Sequence, residues 1–390
     1  MDIFAFSKKR PVWIDLNFNL LTYIVLGVAA FSLIVQMAYY WGLFSRLAFY
    51  KSKPQNDQNT SLPPVSVVIS ARNAVLELEK NLPYILYQDY PDFEVVVVND
   101  SSDDGTTELL TDLARYEPKL NIVHIHQNLN FFKGKKFPLS LGIKSAKHDV
   151  LLLTDADCKP TSNQWIKSMV SNYQNGTDIV IGYGAYLKKK GLLGFLQQYD
   201  TLQIAMFYLS KAIGGKPYMG VGRNLSYRKS LFMDNKGFIS HYNVPSGDDD
   251  LFIQEVATKS NSKPELSKPS FTFSEPQPNF DAWVRQKRRH ISASKYYKSG
   301  IKILLALYPF TQITFLAAVI WLIFLPIHWL FPLSIFLFRT LQQMFIFWKS
   351  AKTLHEKFSF FLVPFGELFF IIFNPVIFLV NSVSKPIKWM

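Results

Sequence analysis

Long uncharged apolar runs at both ends of the chain constrain its fold more than any other feature. Residues 18–45 carry no charged side chain, residues 303–338 carry none, and 368–384 are again apolar. A helix crosses a bilayer with about 20 apolar residues, because it satisfies its own backbone there. The first run is too long for a cleaved signal, and bulky Tyr39-Tyr40-Trp41 stands where a small-residue cleavage site is needed. It reads as a retained anchor at 18–45, after a tail at 1–17. The region 303–390 reads as two or three further crossings, with three favoured, at 303–325, 329–348 and 359–382. Lys349, Lys352 and Lys357 lie between the last two, and positive loops stay cytoplasmic. Four crossings then put the middle of the chain in the cytoplasm of a bacterial inner membrane, although Lys8-Lys9-Arg10 pulls the N-terminus the same way. Arg339 and Glu367 fall inside these crossings, and charges at that depth pair. The alternative is that 333–348 lies along the interface and Arg339 is wet.

Between the runs the pattern changes. Residues 46–64 are polar and Pro-bearing, as a linker is. From there unbroken Val/Ile/Leu runs alternate with helical periods. Strands are expected at Val65–Ile69, Phe93–Val98, Asn121–His126, Val150–Thr154 and Asp178–Tyr183. Helices are expected at Leu76–Tyr87, Thr106–Tyr116, Pro138–Ala146 and Gln164–Tyr173. Such strands are covered on both faces, so the class is α/β with a mostly parallel sheet over 65–275. Leu192–Ile213 fits either an interfacial or a core helix. Residues 276–302 are basic with interleaved Trp and Tyr, as a helix at a membrane surface is. The net charge of +13 suits anionic headgroups. It does not point to nucleic acid, since no basic stripe with stacking aromatics lies away from the membrane. The single cysteine, Cys158, excludes an intrachain disulfide.

Two acidic clusters carry the chemistry. Thr154-Asp155-Ala156-Asp157 follows a buried strand, so its carboxylates leave the sheet where α/β folds bind ligands. Two carboxylates so close resist joint ionisation unless a divalent cation, Mg²⁺ or Mn²⁺, joins them. Asp248-Asp249-Asp250 opens a helical pattern; three acids exceed what capping needs, and one can act as a general base. Asp100 also stands at a strand end, as do Ser70-Ala71-Arg72-Asn73, whereas Asp103–Gly105 reads as turn chemistry. Lys133-Gly134-Lys135-Lys136 can approach a phosphate. Gln286-Lys287-Arg288-Arg289-His290 can clamp a diphosphate, with 286, 289 and 290 on one helix face. His124 and His126 lack further ligands at zinc spacing.

Taken in order, PPVSVVISARN, VVVVNDSSDDGT, KGKKFPLSLGI, LLLTDADC, GVGRNLSYRKSLF, SGDDDLFIQ and WVRQKRRH resemble a membrane-integrated family 2 glycosyltransferase of the cellulose synthase-like and ceramide glucosyltransferase-like kind. The resemblance implies a GT-A fold and inverting transfer from a nucleotide sugar, a UDP-sugar first. It implies that Ala71, Arg72, Asn73, Asp100 and Lys135 hold the nucleotide, with Asp155 and Asp157 on the metal. It makes Asp248, or Asp249 one residue on, the base, and places Gln286, Arg289 and His290 at the diphosphate. Ala74 departs from the usual Glu, and His290 replaces the Trp that packs by the acceptor in processive members. The expected acceptor is therefore a lipid, a lipid-linked group or a glycan. The rivals are a processive polysaccharide synthase and a catalytically silent nucleotide-sugar-binding subunit.

Overall fold

A computed structural model of the chain describes residues 19–52, 62–126, 134–173, 176–325 and 327–384. The tail at 1–17 with its basic triplet, residues 53–61 of the 46–64 linker, and Lys133 lie outside the described residues. Each apolar run forms a strand where expected: β1 (Val65–Ala71), β2 (Phe93–Asp100) and β4 (Val150–Asp155) run a residue or two longer, and β3 (Leu120–Ile125) is shifted back by one residue. The expected fifth strand is shorter, β6 (Ile179–Ile181), and β7 (Gly184–Tyr186) begins just beyond its expected end. Four further strands carry too few residues to show a period: β5 (Cys158–Pro160), β8 (Leu225–Arg228), β9 (Ser262–Pro264) and β10 (Thr272–Ser274).

The main sheet has the order β3-β2-β1-β4-β8-β6-β9. It is parallel except at β8, which runs antiparallel to both β4 and β6. All seven residues of β1 are buried, as strands covered on both faces require. Helices Val75–Leu86, Thr106–Ala114, Lys136–Ser145 and Trp165–Val170 occupy the expected places. A small sheet, β5-β10-β7, stands beside the β4 end.

Helix Leu192–Ile213 is a core helix that joins the sheet to the apolar helices. Its Tyr199 ring stacks on Phe347 and Phe370, each at 5.2 Å. Gly366 lies so close to Tyr199 that a Cβ there would sit 2.5 Å from the ring. On the next turns Phe207 meets Phe44 edge-on at 4.9 Å and Tyr308 at 5.5 Å.

Among the described residues, four helices are long and apolar enough to cross a membrane. They are Leu20–Met37 with its π-helical and helical continuation to Ala48, then Ser299–Ile323, Leu330–Thr353 and Val363–Val383. The Arg339–Glu367 ion pair is present and buried; the wet alternative for Arg339 is not met. Both Nη groups of Arg339 donate to Glu367, Nε donates to Gln36, and Nη1 also donates to Gln343 at 3.0 Å. Gln312 donates to Glu367 from the neighbouring helix.

The basic helix runs from Phe280 to Ser294 and packs along the last apolar helix. Trp283 stacks on Phe373 at 5.0 Å, and Arg288 Nε donates to Asn381 at 2.9 Å. In the connector ahead of that apolar helix, Glu356 accepts from Tyr183 at 2.8 Å and from Gln198 at 2.7 Å.

Candidate active site

Strand register brings the first cluster to the second. Ser70 of β1 is paired with Asp155 of β4, so the Ala71-Arg72-Asn73 turn leaves the sheet beside the Asp-x-Asp turn. Antiparallel β8 pairs Leu225 with Leu153, which returns Arg223 to the same place. Thr154 fixes that return by donating to the Arg223 carbonyl at 2.9 Å. The small sheet then carries Tyr186 and Ser274 alongside, and Tyr186 donates to Gln286 of the basic helix at 3.1 Å.

A single cavity of about 1050 Å³ results. Ala71, Arg72, Asn73, Lys135, Asp155, Asp157, Asp248, Asp249, Gln286, Arg289 and His290 all line it. Asp100 does not; it sits at the end of β2, where burial, opposed by Arg72, raises its carboxyl. Asn73, in the left-handed region at φ 48°, spends its side-chain oxygen on the Asp103 amide. Asp104 accepts from the amides of Val75 and Thr106, which is the turn chemistry expected of that segment.

Asp155 and Asp157 hold carboxylate oxygens, with the Cys158 sulfur, within 4.8 Å of one another. Burial pushes Asp157 up to about 6, and the Asp155 charge adds to that rise. Burial would raise Asp155 too, but its contact with the Lys135 ammonium holds it below the usual carboxylate range. Burial likewise would lower Lys135, and the charges of Asp155 and Asp248 overcome it and raise it. Burial raises the Cys158 thiol strongly, so it stays protonated. What remains for an ion is a pair of hard oxygen donors, the set that suits Mg²⁺ or Mn²⁺ rather than zinc.

The three acids of the second cluster have different work. Asp249 opens helix Asp250–Val256, accepting from the Asp250 amide and from the Gly222 amide, both at 2.8 Å. Burial and then the Asp248 charge raise it well above the usual range. Asp250 accepts from Leu251 N and from the Tyr297 hydroxyl, and burial lifts it to about 6. Asp248 is engaged in no hydrogen bond or ion pair among the described residues. A Cβ built on Gly222 would lie 3.6 Å from Lys135 Nζ, 3.6 Å from Asp249 Oδ2 and 3.7 Å from Asp248 Oδ2. Lys135 thus stands between the two clusters, in contact with Asp155 and close to Asp248.

The basic helix divides as its spacing implies. Gln286, Arg289 and His290 face the cavity, and Arg288 turns to the last helix. Lys287 reaches the wall as well, but is held by Asp200 at 2.8 Å. Desolvation by the cavity wall, then Arg289 and Lys287, lower the imidazole of His290 to about 3, although the residue is exposed to the open cavity. Arg223 received no role from the sequence. It is half-buried within the field of Asp157 and Asp155, lies over the Tyr186 ring at 4.6 Å, and donates to Ser274 at 3.0 Å. An arginine set among glycines and valine just ahead of a short strand was the available signal.

Residues 66–235 match the family model described as glycosyl transferase family 2. An uncharacterized glycosyltransferase of Haemophilus influenzae is 30% identical over 144 residues, 36% of this chain and 42% of that protein. The poly-beta-1,6-N-acetyl-D-glucosamine synthase of Staphylococcus epidermidis is 27% identical over 232 residues, 57% of this chain and 52% of that protein. The chain therefore spans about half the length of the curated relatives it matches. Among solved structures, the mannosyltransferase PcManGT of Pyrobaculum calidifontis, in complex with GDP-Man and Mn²⁺, superposes with a TM-score of 0.55. It is 18% identical, and the match covers 86% of this chain and 99% of that one, so the fold is GT-A.

Proposed function

We infer, for a chain whose residues 66–235 form a family 2 glycosyltransferase domain, that it moves one sugar from a nucleoside diphosphate to a lipid or lipid-linked hydroxyl, with inversion. The observation that carries this reading is that Asp157 and Asp248 line one cavity with the basic helix. Asp248 is the base: it makes no hydrogen bond or ion pair among the described residues, whereas Asp249 and Asp250 are committed to backbone amides and Tyr297. It takes the proton of the acceptor hydroxyl as that oxygen bonds to the anomeric carbon. Arg289, Gln286 and neutral His290 meet the departing diphosphate, and Arg72 with Asn73 stands at the nucleotide end. A divalent cation held by Asp155 and Asp157 neutralises charge on that diphosphate when bound. That PcManGT binds GDP-Man and Mn²⁺ supports the donor class and the ion. A UDP-sugar is the first donor to test, at the cytoplasmic face of a bacterial inner membrane.

The likeness to a poly-N-acetylglucosamine synthase favours a second reading, a processive synthase. The lengths of the products separate the two. Nucleotide sugars screened for thermal stabilisation with and without Mn²⁺ identify the donor. With that donor, Asp248→Asn is expected to keep donor binding and lose transfer at least 100-fold. Undiminished turnover in this variant would move the base elsewhere.

A further inference from the structure

Two lysines stand side by side at the start of helix Lys136–Ser145, and their partners differ. Lys135 meets Asp155 in the cavity. Lys136 does not line the cavity, so the phosphate contact open to it in the sequence is not made. It is 1% exposed, and its ammonium donates to two backbone carbonyls, His241 at 2.6 Å and Val244 at 3.0 Å. Burial lowers that ammonium to about 8, with the charges of Asp248, Asp250, Asp249 and Glu255 opposing the fall. Methionine would fill the same place and leave no charge to desolvate. What lysine adds here is its grip on the segment that carries the two carbonyls.

That segment has little else to hold it. The Val244 amide closes back on the His241 carbonyl at 3.1 Å, so the ammonium caps both ends of one turn. From Pro245 to Asp248 the chain makes no backbone hydrogen bond among the described residues. Its far end is fixed at Asp249, which accepts from the Gly222 and Asp250 amides. Its near end is fixed at Val244 by Lys136. Gly134 backs the same point: at φ 87°, a Cβ there would lie 2.4 Å from the Pro245 carbonyl oxygen. Asp248 ends the short span between these two anchors.

Resting on the transfer reading above, we propose that Lys136 is a positioning residue for the base. It ties the His241–Val244 turn to the helix start that also carries Lys135, and so fixes Asp248 relative to Asp155 and Asp157. The two neighbouring ammonium groups register one acidic cluster against the other, the first by direct contact and the second through the backbone. A base displaced by about 1 Å costs on the order of 10²-fold in rate. The wall that meets the nucleotide, which Lys136 does not form, stays as it is.

The test uses the full-length protein in nanodiscs of bacterial membrane lipid. The donor site is read by titrating UDP or GDP, whichever stabilises the wild type, with Mn²⁺. Turnover is read with the nucleotide sugar that the thermal screen selects, and the loop by amide hydrogen exchange without nucleotide. Lys136→Met is expected to lower kcat about 30-fold or more, with nucleotide affinity and donor KM within about twofold of wild type. Amides 246–248 should exchange about tenfold faster or more, with those of β1 and β4 unchanged. In the Asp248→Asn background the same substitution should cost no more than about a further twofold, because the group it displaces is already gone. Turnover within about threefold of wild type overturns the proposal. So does a loss that multiplies onto Asp248→Asn, or a nucleotide affinity that falls in step with kcat, since either marks a general loosening of the fold. Lys136→Gln, whose N–H donor reaches less far, carries the same readings if the methionine variant does not fold. Undiminished turnover in Asp248→Asn alone would instead refute the base assignment, and the exchange measurement would then decide the brace by itself.

Discussion

Replacing Glu367 with leucine should destabilise the apolar bundle by about 3–5 kcal/mol, the cost of breaking a buried pair by removing one partner. The structure fixes what is lost. Glu367 accepts one bond from each Nη of Arg339 and one from Gln312 Nε2. Three donors lose their acceptor together, and Arg339, fully buried, keeps its charge with Gln36 and Gln343 as its hydrogen-bond acceptors and the Tyr40 and Phe315 rings beside it. Two charge-assisted bonds of roughly 1.5–3 kcal/mol each account for the same range. By contrast Gln343→Leu removes one bond and should cost about 1–3 kcal/mol. The exchange Arg339→Glu with Glu367→Arg should recover most of the loss, because the Gln312 amide can flip to offer oxygen to the new arginine and the Gln343 amide to offer nitrogen to the new glutamate. Unfolding in nanodiscs, followed by denaturant titration of the two leucine variants, the two single reversals and the exchange, measures each term. A Glu367→Leu variant within 1 kcal/mol of wild type, or an exchange no better than either single reversal, would refute this account of the node.

Three further outcomes are expected. Asp157→Asn should abolish both transfer and Mn²⁺-dependent thermal stabilisation, and its effect without metal should change with pH. A carboxyl raised from 3.8 to about 6 favours folding fully below its unfolded value and loses that contribution as pH rises through 6. The metal-free Asn variant should therefore match wild type at pH 4 and melt higher than it at pH 7.5; equal melting points at pH 7.5 would refute the shift. Asp249→Ala should lower stability by about 1–3 kcal/mol, because the Gly222 amide loses its acceptor, whereas Asp248→Asn leaves the melting temperature unchanged in the same scan. Trp283→Ala should cost about 3–5 kcal/mol and expose the basic helix to limited proteolysis, since the indole stacks on Phe369 and Phe373.

The parts of this fold legible in the sequence are those with a long enough repeat. Strands β1, β2 and β4 show as runs rich in Val, Ile and Leu because both their faces are covered, whereas β3, at the sheet edge, mixes Asn121 and His124 into its run and is half-buried. Strands β5, β7, β9 and β10 have three residues each, and no period can be read from three. The Arg339–Glu367 pair could be read because a charge is conspicuous in an apolar run. The Lys287–Asp200 pair could not, since each partner sits in a segment where charge is ordinary. In the acidic triplet, the residue types gave the chemistry but not the assignment. Gly222 and Tyr297, remote in sequence, decide which carboxylates are engaged.

One consequence follows from where the aromatic contacts lie. Val68, Leu151 and Ile181 of the sheet share a continuous apolar interior with Tyr39, Phe347 and Phe370 of the long helices. The nucleotide-binding half is thus no cargo tethered to a lipid anchor. Excised as a water-soluble fragment, it would bare Tyr199 and Phe207 and clump. Any attempt to study its chemistry has to carry the bilayer along with it.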